Sequence, residues 1–436
     1  MKKIFILILL FIVLSSSLFF SKDISLVLSG GGAKGVYQLG VWKALIDNNY
    51  DIEGVYGTSV GAINGAAITM GDYEFAKNLW MSIDYKRLME VEPKIIDILK
   101  TDMTFETMND YFSVIWELIT NNGIKIEPMI DLIYNSINEE KIRNSKIDYG
   151  LVTVNYSNFE GQELFIEDIP EGELKDYILA SSNFPGFQRY VIEEEKYIDG
   201  GFYSNVPVSM AVERGRKNIL SVTISLKTPR DIITDIKLSF DKDINHIQVS
   251  PSKELGGFLD FDPESYYEYI KLGYLDTQRV LGNLSGEDYF IINEPYEYLK
   301  EILLNIPEEK LKTAFSILNL EYVDNASPEY NYYRVLLPYF EKITLKSSPS
   351  DVLNEILEKL ADYLKLDDLS PYTRLDLIKE ISSGTWKNKE DSFIIMNKRI
   401  FYSDLMNFIN FITENCDCEI FPSEFSEDFK NKYKEL

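Results

Sequence analysis

The 436-residue chain contains a single histidine, only two cysteines, and too few basic residues to balance its acidic ones. Its 44 Lys and Arg residues oppose 70 Asp and Glu residues, which leaves a formal net charge of −26. Such a chain repels phosphate backbones, and this excludes nucleic acid as an expected partner. Electrostatic adhesion to anionic lipid is disfavoured for the same reason, so any lipid contact should be hydrophobic.

The scarcity of histidine and cysteine also limits metal chemistry. Cys416 and Cys418 are separated by one residue, which makes a mutual disulfide geometrically awkward. The sequence contains no second Cys/His pair that would complete a zinc site. It shows no evident metal cluster, and we expect neither a metal nor a cofactor.

The N-terminus has the pattern of a secretory signal, in which Met1-Lys2-Lys3 precedes an uncharged run from Ile4 to Ser21. An uncleaved membrane anchor is the alternative, because the run is close to the shortest length that spans a bilayer. Ser15-Ser16-Ser17 interrupts the run, and a strand-like segment follows it without a linker. We therefore predict a signal peptide over residues 1–22 and an exported protein, either periplasmic or secreted.

Short apolar runs alternate with helical patterns from Ile24 to about Leu226. Ile24–Leu28 and Gly54–Tyr56 have the composition of strands, and each is followed by a helix-like segment. Such alternation predicts an α/β fold with a mostly parallel central sheet between two layers of helices.

Two further regions have helical patterns. The first runs from Trp80 to Asn144 and includes Phe112–Thr120 and Glu127–Ile137. We interpret it as an insertion that packs over one side of the sheet and supplies walls for a substrate pocket. The second begins after about Ser285 and carries apolar stripes at helical spacing, for example along Leu353–Leu364.

The segment Gly57-Thr58-Ser59-Val60-Gly61 is a G-x-S-x-G motif between a strand and a helix rich in small residues. This is the setting of a nucleophile elbow. Gly57 and Gly61 remove side chains that would clash in the tight turn. A helix that starts at Ser59 directs N–H groups toward developing negative charge. A glycine-rich turn without chemistry is the alternative.

A glycine-rich loop follows the first predicted strand. Its backbone N–H groups can form a site for an oxyanion, and the candidates are Gly30, Gly31, Gly32, Ala33, Lys34 and Gly35. The spacing also matches a dinucleotide-binding fingerprint. However, the second strand ends in Gly57-Thr58-Ser59 instead of an acidic residue, which argues against a nucleotide-dependent oxidoreductase.

Asp199 follows the apolar end of another predicted strand and precedes Gly200 and Gly201. The two glycines leave the carboxylate open to the approach of a serine hydroxyl. By itself, however, the pattern is better explained as an ordinary Asp-Gly turn.

Together and in this order, the three motifs resemble those of the patatin-like phospholipase family. Ala180–Pro185 is similar to the family's Ala-Ser-x-x-x-Pro segment, and Asn205–Val208 follows Asp199 as the family pattern leads one to expect. The resemblance covers about residues 24–285. We accordingly assign residues 23–285 to a patatin-like catalytic domain of an exported bacterial member, and residues 286–436 to a mainly α-helical C-terminal domain of unknown role.

The resemblance implies acyl ester hydrolysis by a Ser-Asp dyad, with Ser59 as nucleophile, Asp199 as base and oxyanion donors from Gly30 to Ala33. It also implies an acyl-enzyme intermediate, a phospholipid or other lipid ester as substrate, and transient contact with a membrane surface. His246 lies in a strand-like segment, yet Ser59, Asp199 and His246 follow the chain order of an α/β-hydrolase triad. A triad esterase and a catalytically silent lipid-binding or scaffold protein are the alternatives. The sequence indicates no particular oligomeric state.

Overall fold

The computed structural model of the protein describes residues 22–88, 123–294, 298–384, 392–395, 398–415 and 424–436. The predicted signal segment up to residue 21, the predicted helix at Phe112–Thr120 and the Cys416/Cys418 pair lie outside these residues. In the part of the chain that is described, no helix has both the length and the apolar character needed to cross a bilayer. The chain divides into two compact units, one extending to Tyr274 and one beginning at Leu275.

The strands span, in chain order, β1 Asp23–Leu28, β2 Asp51–Thr58, β3 Asp148–Asn155, β4 Glu160–Phe165, β5 Tyr190–Ile192, β6 Glu195–Asp199, β7 Asn218–Val222, β8 Asn245–Val249, β9 Leu284–Ser285, β10 Phe290–Ile292, β11 Pro371–Tyr372, β12 Ser392–Ile395 and β13 Lys398–Phe401. The α-helices span α1 Tyr37–Asp47, α2 Val60–Met70, α3 Tyr73–Met81, α4 Tyr85–Leu88, α5 Glu127–Ser136, α6 Glu139–Arg143, α7 Leu174–Ser181, α8 Val208–Glu213, α9 Pro229–Leu238, α10 Pro263–Val280, α11 Tyr298–Leu304, α12 Glu308–Ile317, α13 Pro328–Asn331, α14 Leu337–Thr344, α15 Pro349–Leu364, α16 Arg374–Ser383, α17 Tyr402–Asn415 and α18 Glu424–Lys434. Short 3-10 helices cover Gly32–Val36, Ile166–Asp168 and Gly200–Phe202, and a π-helical turn covers Tyr332–Leu336.

The first unit is built on an eight-stranded sheet. The pairs β3–β2, β2–β1, β1–β7 and β7–β8 are parallel. In contrast, β4 and β6 pair antiparallel with β3, and β5 pairs antiparallel with β6. These pairings confirm the predicted α/β fold with a mostly parallel central sheet, and they add an antiparallel part.

Helices cover both faces of the sheet. Tyr56 of β2 belongs to a buried cluster that contains Val208 and Met210 of α8. Its neighbour Val55 lies on the opposite face, where a β-carbon added to Gly65 of α2 would come within 3.1 Å of its side chain. Successive side chains of a strand point to opposite faces, so the sheet is the middle of three layers.

The register of β3 brings the ends of two other strands together. One edge of β3 pairs with β4 over Gly150–Asn155. Its remaining edge pairs first with β2, up to Val152, and then with β6, from Thr153 onward. Because a strand has only two edges, β2 and β6 lie end to end along the same edge. The residue after β2 and the last residue of β6 therefore meet at one point of the sheet.

The second unit is mainly helical in the residues described. Its buried cluster includes Leu353, Ile356, Leu357 and Leu360 of α15, which confirms the apolar stripe predicted there. The assignment of residues 286–436 to a separate domain stays a prediction.

Candidate active site

Ser59 occupies a strained turn between β2 and α2. Its φ of 56° and ψ of −125° lie in a region that residues with a side chain rarely adopt. A β-carbon on Gly57 would lie 2.2 Å from the carbonyl oxygen of Gly61, and one on Gly61 would lie 2.2 Å from that of Leu28. Both glycines of the G-x-S-x-G motif are therefore required by close backbone approach.

Ser181, the last residue of α7, supports this turn. The Ser59 N–H donates to Ser181 Oγ at 3.0 Å, and the Ser181 hydroxyl donates to the carbonyl oxygen of Val152 at 2.7 Å. The Ser181 side chain is fully buried. The sequence drew attention to Ala180–Pro185 only through its resemblance to a family segment, and it indicated no contact between Ser181 and the elbow.

Asp199 faces Ser59 from the end of β6. Its buried carboxylate accepts a hydrogen bond at 2.7 Å from the Gly201 N–H, and the Ser59 hydroxyl lies close enough to stabilise its ionised form. Burial raises the pKa of Asp199 to about 6, although the Ser59 hydroxyl and the Gly201 N–H act to lower it. A β-carbon on Gly200 would lie 2.1 Å from the carbonyl oxygen of Val152, so this position requires glycine. The carboxylate can therefore accept a proton near neutral pH and is still mostly ionised at pH 7.

The glycine-rich loop adjoins the serine, and two of its predicted donors are engaged within the protein. A β-carbon on Gly30 would lie 3.1 Å from Cβ of Ser59. The Gly30 N–H donates to Asn205 Oδ1 at 3.1 Å. The Ala33 N–H donates to the carbonyl oxygen of Phe258 at 2.8 Å.

Gly31 and Gly32 are the remaining candidates, because their N–H groups make no hydrogen bond to any residue that the structure describes. Gly32 has a φ of 57°, and a β-carbon there would lie 2.1 Å from a backbone oxygen, so only glycine fits. Lys34 and Gly35 continue into the 3-10 helix, where the Lys34 N–H donates to the Gly31 carbonyl oxygen at 3.2 Å. The structure thus narrows the candidate oxyanion donors to Gly31 and Gly32.

Asn205 links the glycine-rich loop to the loop after β7. Its Nδ2 donates to Ser225 Oγ and to the carbonyl oxygen of Leu226, both at 2.8 Å. The buried Asp231 carboxylate accepts the Asn205 N–H at 3.0 Å and the Ser204 hydroxyl at 2.7 Å. The sequence did not single out Asp231, because an acidic residue in the first turn of a helix usually indicates only a cap.

An apolar cavity of about 730 Å³, open to solvent, is lined by Ser59 and Asp199. Its other described walls come from α2, α3, α4, α5, the segment after α7 and the loop before α10. Met129, Leu132 and Ile133 of α5 line it, which confirms that the predicted insertion supplies part of the wall. Apolar cavities that contain a few polar groups are typical of small-molecule sites.

His246 lies far from Ser59. It pairs with Ile219 of β7, which is level with Ser25 of β1 and Gly54 of β2. Three strand spacings, about 14 Å, and five residues along β2, about 16 Å, separate it from Ser59. The structure therefore does not bring His246 to the Ser59–Asp199 pair.

His246 instead has polar neighbours of its own. Its Nε2 and Ser221 Oγ share a hydrogen bond of 2.8 Å, and its Nδ1 lies 4.0 Å from Asp235 Oδ1. Ser221 is fully buried within β7, where no ester can reach it. Burial lowers the pKa of His246, as expected for a largely buried histidine whose ring nitrogens have polar neighbours within the protein. Among the described residues, no group of three His, Cys, Asp or Glu side chains is arranged to hold a metal ion.

Comparison with known proteins gives a consistent picture. The family model described as Patatin-like phospholipase matches residues 26–212, a range that contains the glycine-rich loop, the serine elbow and Asp199. The patatin-like phospholipase domain-containing protein 7 of Mus musculus is 23% identical over 214 residues, which are 48% of this chain and 14% of the mouse protein. The lysophospholipase NTE1 of Kluyveromyces lactis is 26% identical over 205 residues, which are 46% of this chain and 12% of the yeast protein.

The matched part of the chain therefore spans only about one seventh or less of the length of these relatives. A crystal structure of VipD from Legionella pneumophila is 14% identical with a TM-score of 0.38, and the comparison covers 94% of this chain and 90% of that one.

Proposed function

We propose that this chain, whose residues 26–212 belong to the patatin-like phospholipase family, hydrolyses carboxylic esters of lipids with Ser59 as nucleophile and Asp199 as general base. The observation that carries the proposal is the meeting of these two buried side chains, from the ends of β2 and β6, at the wall of an apolar cavity. The names of the relatives support a phospholipid or lysophospholipid as substrate. Export through a signal peptide over residues 1–22 is part of the same proposal.

The first half of the reaction forms an acyl-enzyme. Asp199 accepts the hydroxyl proton as Ser59 Oγ attacks the ester carbonyl carbon. The N–H groups of Gly31 and Gly32 donate to the oxyanion of the tetrahedral intermediate. The intermediate collapses, the leaving alcohol takes the proton from Asp199, and the acyl group stays on Ser59.

The second half returns the enzyme to its starting state. Asp199 accepts a proton from a water molecule as that water attacks the acyl carbonyl. Collapse of the second tetrahedral intermediate releases the fatty acid and returns the proton to Ser59 Oγ. Because one carboxylate serves both halves, the scheme needs no histidine, and the remote position of His246 agrees with it.

The cavity supports an acyl chain as the bound part of the substrate. Apart from Ser59, Ser182 and Asp199, the side chains that the structure describes along its walls are apolar. Each methylene group that enters such a wall contributes about 0.8 kcal/mol. We therefore expect long-chain esters to be hydrolysed more efficiently than acetate esters.

The Ser59→Ala variant tests the proposal. We expect hydrolysis of short and long acyl esters to fall by at least about 10³-fold, because the nucleophile is lost. Ser182→Ala is the matched control, since Ser182 lines the same cavity but its hydroxyl donates to the Ile178 carbonyl oxygen at 2.9 Å. Wild-type hydrolysis no faster than that of Ser59→Ala would instead favour the silent lipid-binding or scaffold protein. Mass spectrometry of products from mixed lipids identifies the substrate.

The pH dependence of the wild type tests the role of Asp199. Its pKa of about 6 leaves the base mostly protonated at pH 5 and mostly ionised at pH 7. We expect kcat/KM to rise about tenfold between these two values and to level off above pH 7. A rate that is constant from pH 5 to pH 7 would reject Asp199 as the base.

A further inference from the structure

Helix α9, on the surface of the first unit, exposes an apolar stripe. Ile232, Ile233 and Ile236 are 48%, 54% and 55% exposed, and Phe240, just beyond the helix, is 81% exposed. Ile232, Ile236 and Phe240 follow one another at four-residue intervals, and Ile233 lies beside them on the helical wheel. These four residues are called the α9 stripe below.

The two buried residues of α9 are Asp231 and Leu238, so the helix contacts the interior through one aspartate and one leucine while its three isoleucines lie outside. Asp231 is buried and accepts hydrogen bonds from Ser204 and Asn205. Asp235 forms an ion pair with Lys227. Soluble helices ordinarily bury isoleucine and expose aspartate. A stripe of this kind is typical of a surface that binds a partner.

The charges around the stripe favour a lipid surface as that partner. The exposed residues within α9 are Pro229, Arg230, Ile232, Ile233, Ile236 and Lys237. None of them is acidic, although acidic residues outnumber basic ones by 70 to 44 in the chain. Beyond the helix, Phe240 is followed by the exposed residues Asp241, Lys242 and Asp243. Apolar side chains flanked by arginine and lysine are typical of helices that lie in the membrane interface. Lys237 can then reach lipid phosphate groups while the apolar side chains enter the acyl region, whereas Arg230 is paired with Glu163 within the protein.

A series of hydrogen bonds and contacts connects the loop before the α9 stripe to the candidate active site. Leu226, in the loop before α9, is 81% exposed, and its carbonyl oxygen accepts a hydrogen bond from Asn205. Asn205 in turn accepts the Gly30 N–H, and Gly30 adjoins Ser59. One short loop thus connects the exposed apolar surface to the proposed oxyanion loop.

We propose that the α9 stripe, with Leu226, docks the first unit on the surface of a zwitterionic phospholipid bilayer, an inference that rests on the proposed lipid ester hydrolysis. The net charge of −26 opposes binding to anionic membranes, so the contact is hydrophobic and insensitive to salt. Docking places the substrate-bearing surface beside the loop that carries Gly31 and Gly32.

Hydrogen exchange with phosphatidylcholine vesicles tests the docking. The full chain carries Ser59→Ala, so that lipid is not consumed, and exchange is read separately for each peptide. We expect vesicles to slow exchange in residues 229–240 and to leave α1 unchanged, at low and at high salt. A readout confined to α9 is independent of any binding by the apolar residues near the N-terminus.

A triple variant, Ile232→Ser with Ile233→Ser and Ile236→Ser, should lose this protection. Each half-exposed isoleucine accounts for roughly tenfold in affinity, so the vesicle concentration for half protection should rise at least about 100-fold. Ile46→Ser with Phe75→Ser is the matched control, since both side chains are 42% exposed on α1 and α3 of the same unit. This control should keep full protection of α9.

Three outcomes overturn the docking: no protection of α9 in the first place, protection that survives the triple substitution, or protection that appears without vesicles as the protein concentration rises. The last outcome would assign the stripe to contact with a second copy of the chain. Turnover of a soluble short-chain ester, measured with Ser59 intact, separates the two proposals. If the wild type hydrolyses no ester while α9 still binds vesicles, the proposed function fails and the docking stands.

Discussion

Replacement of Asp199 by asparagine should abolish hydrolysis and at the same time stabilise the protein. The carboxylate is buried, and burial raises its pKa from 3.8 to about 6. In the folded state the ionised form is therefore less favourable than in the unfolded chain. Asparagine has the same shape, can still accept the Gly201 N–H, and carries no charge.

The size of the effect follows from the difference between the two pKa values. At about 1.4 kcal/mol per pKa unit, the ionised carboxylate costs about 3 kcal/mol of folding free energy at neutral pH. The cost is absent below about pH 3.8, where both states are protonated, grows between pH 3.8 and pH 6, and is complete above pH 6. Asp199→Asn removes it, so the variant should be more stable at pH 7 and no more stable at pH 4.

Thermal unfolding of the two proteins from pH 4 to pH 8 measures this difference. For a unit of this size, about 3 kcal/mol corresponds to a rise of about 6–12 °C in the midpoint at pH 7. Ester hydrolysis by the variant should fall by at least about 10³-fold, since the base is lost. A variant that is less stable than the wild type at pH 7, or a difference that does not change with pH, would refute the reasoning.

Three substitutions test the rest of the site. Ser181→Ala leaves the N–H of the strained serine without its acceptor, and we expect kcat to fall about 10- to 100-fold with KM nearly unchanged, since substrate does not touch this hydroxyl. Gly32→Ala places a β-carbon against a backbone oxygen and should lower kcat at least about 100-fold by displacing an oxyanion donor. Gly71→Ala is the control, because Gly71 also has a positive φ but has open space around it, and this variant should leave kcat unchanged. His246→Ala should leave hydrolysis within about threefold of the wild type; a loss as large as that of Asp199→Asn would indicate a triad in place of the dyad.

The local features of the site could be predicted because their physical requirements extend over only a few residues. Gly57 and Gly61 are needed because the backbone on either side of Ser59 passes within contact distance of them. Because these close approaches require glycine at fixed positions around the serine, the requirement appears in the sequence as the G-x-S-x-G motif. The alternation of apolar strands with helical segments likewise indicated a mostly parallel sheet, because a parallel connection requires a crossover.

The residues that support the site could not be predicted, because their roles depend on what lies opposite them in space. Ser181, Asn205 and Asp231 are ordinary polar residues in the sequence. Ser181 reaches the elbow across 122 positions, Asn205 reaches the glycine-rich loop across 175, and Asp231 holds Asn205 across 26. The antiparallel pairing of β6 with β3 was not foreseen either. An isolated short strand carries no signal of which edge it will occupy or in which direction.

Three features of this protein are predictable from its sequence: an α/β unit, a serine on a tight strand-to-helix turn, and glycines where the backbone must pass closely. These features depend on sterics and apolar periodicity that neighbouring residues carry. The folded arrangement alone establishes that Asp199 faces Ser59 across 140 positions of chain and that His246 does not. It also leaves the N–H groups of Gly31 and Gly32 without a partner among the residues described. Strand register, burial and hydrogen-bond partners are set by residues that are distant in the chain. The Asp199 carboxylate therefore acquires its raised pKa only once the sheet has formed around it.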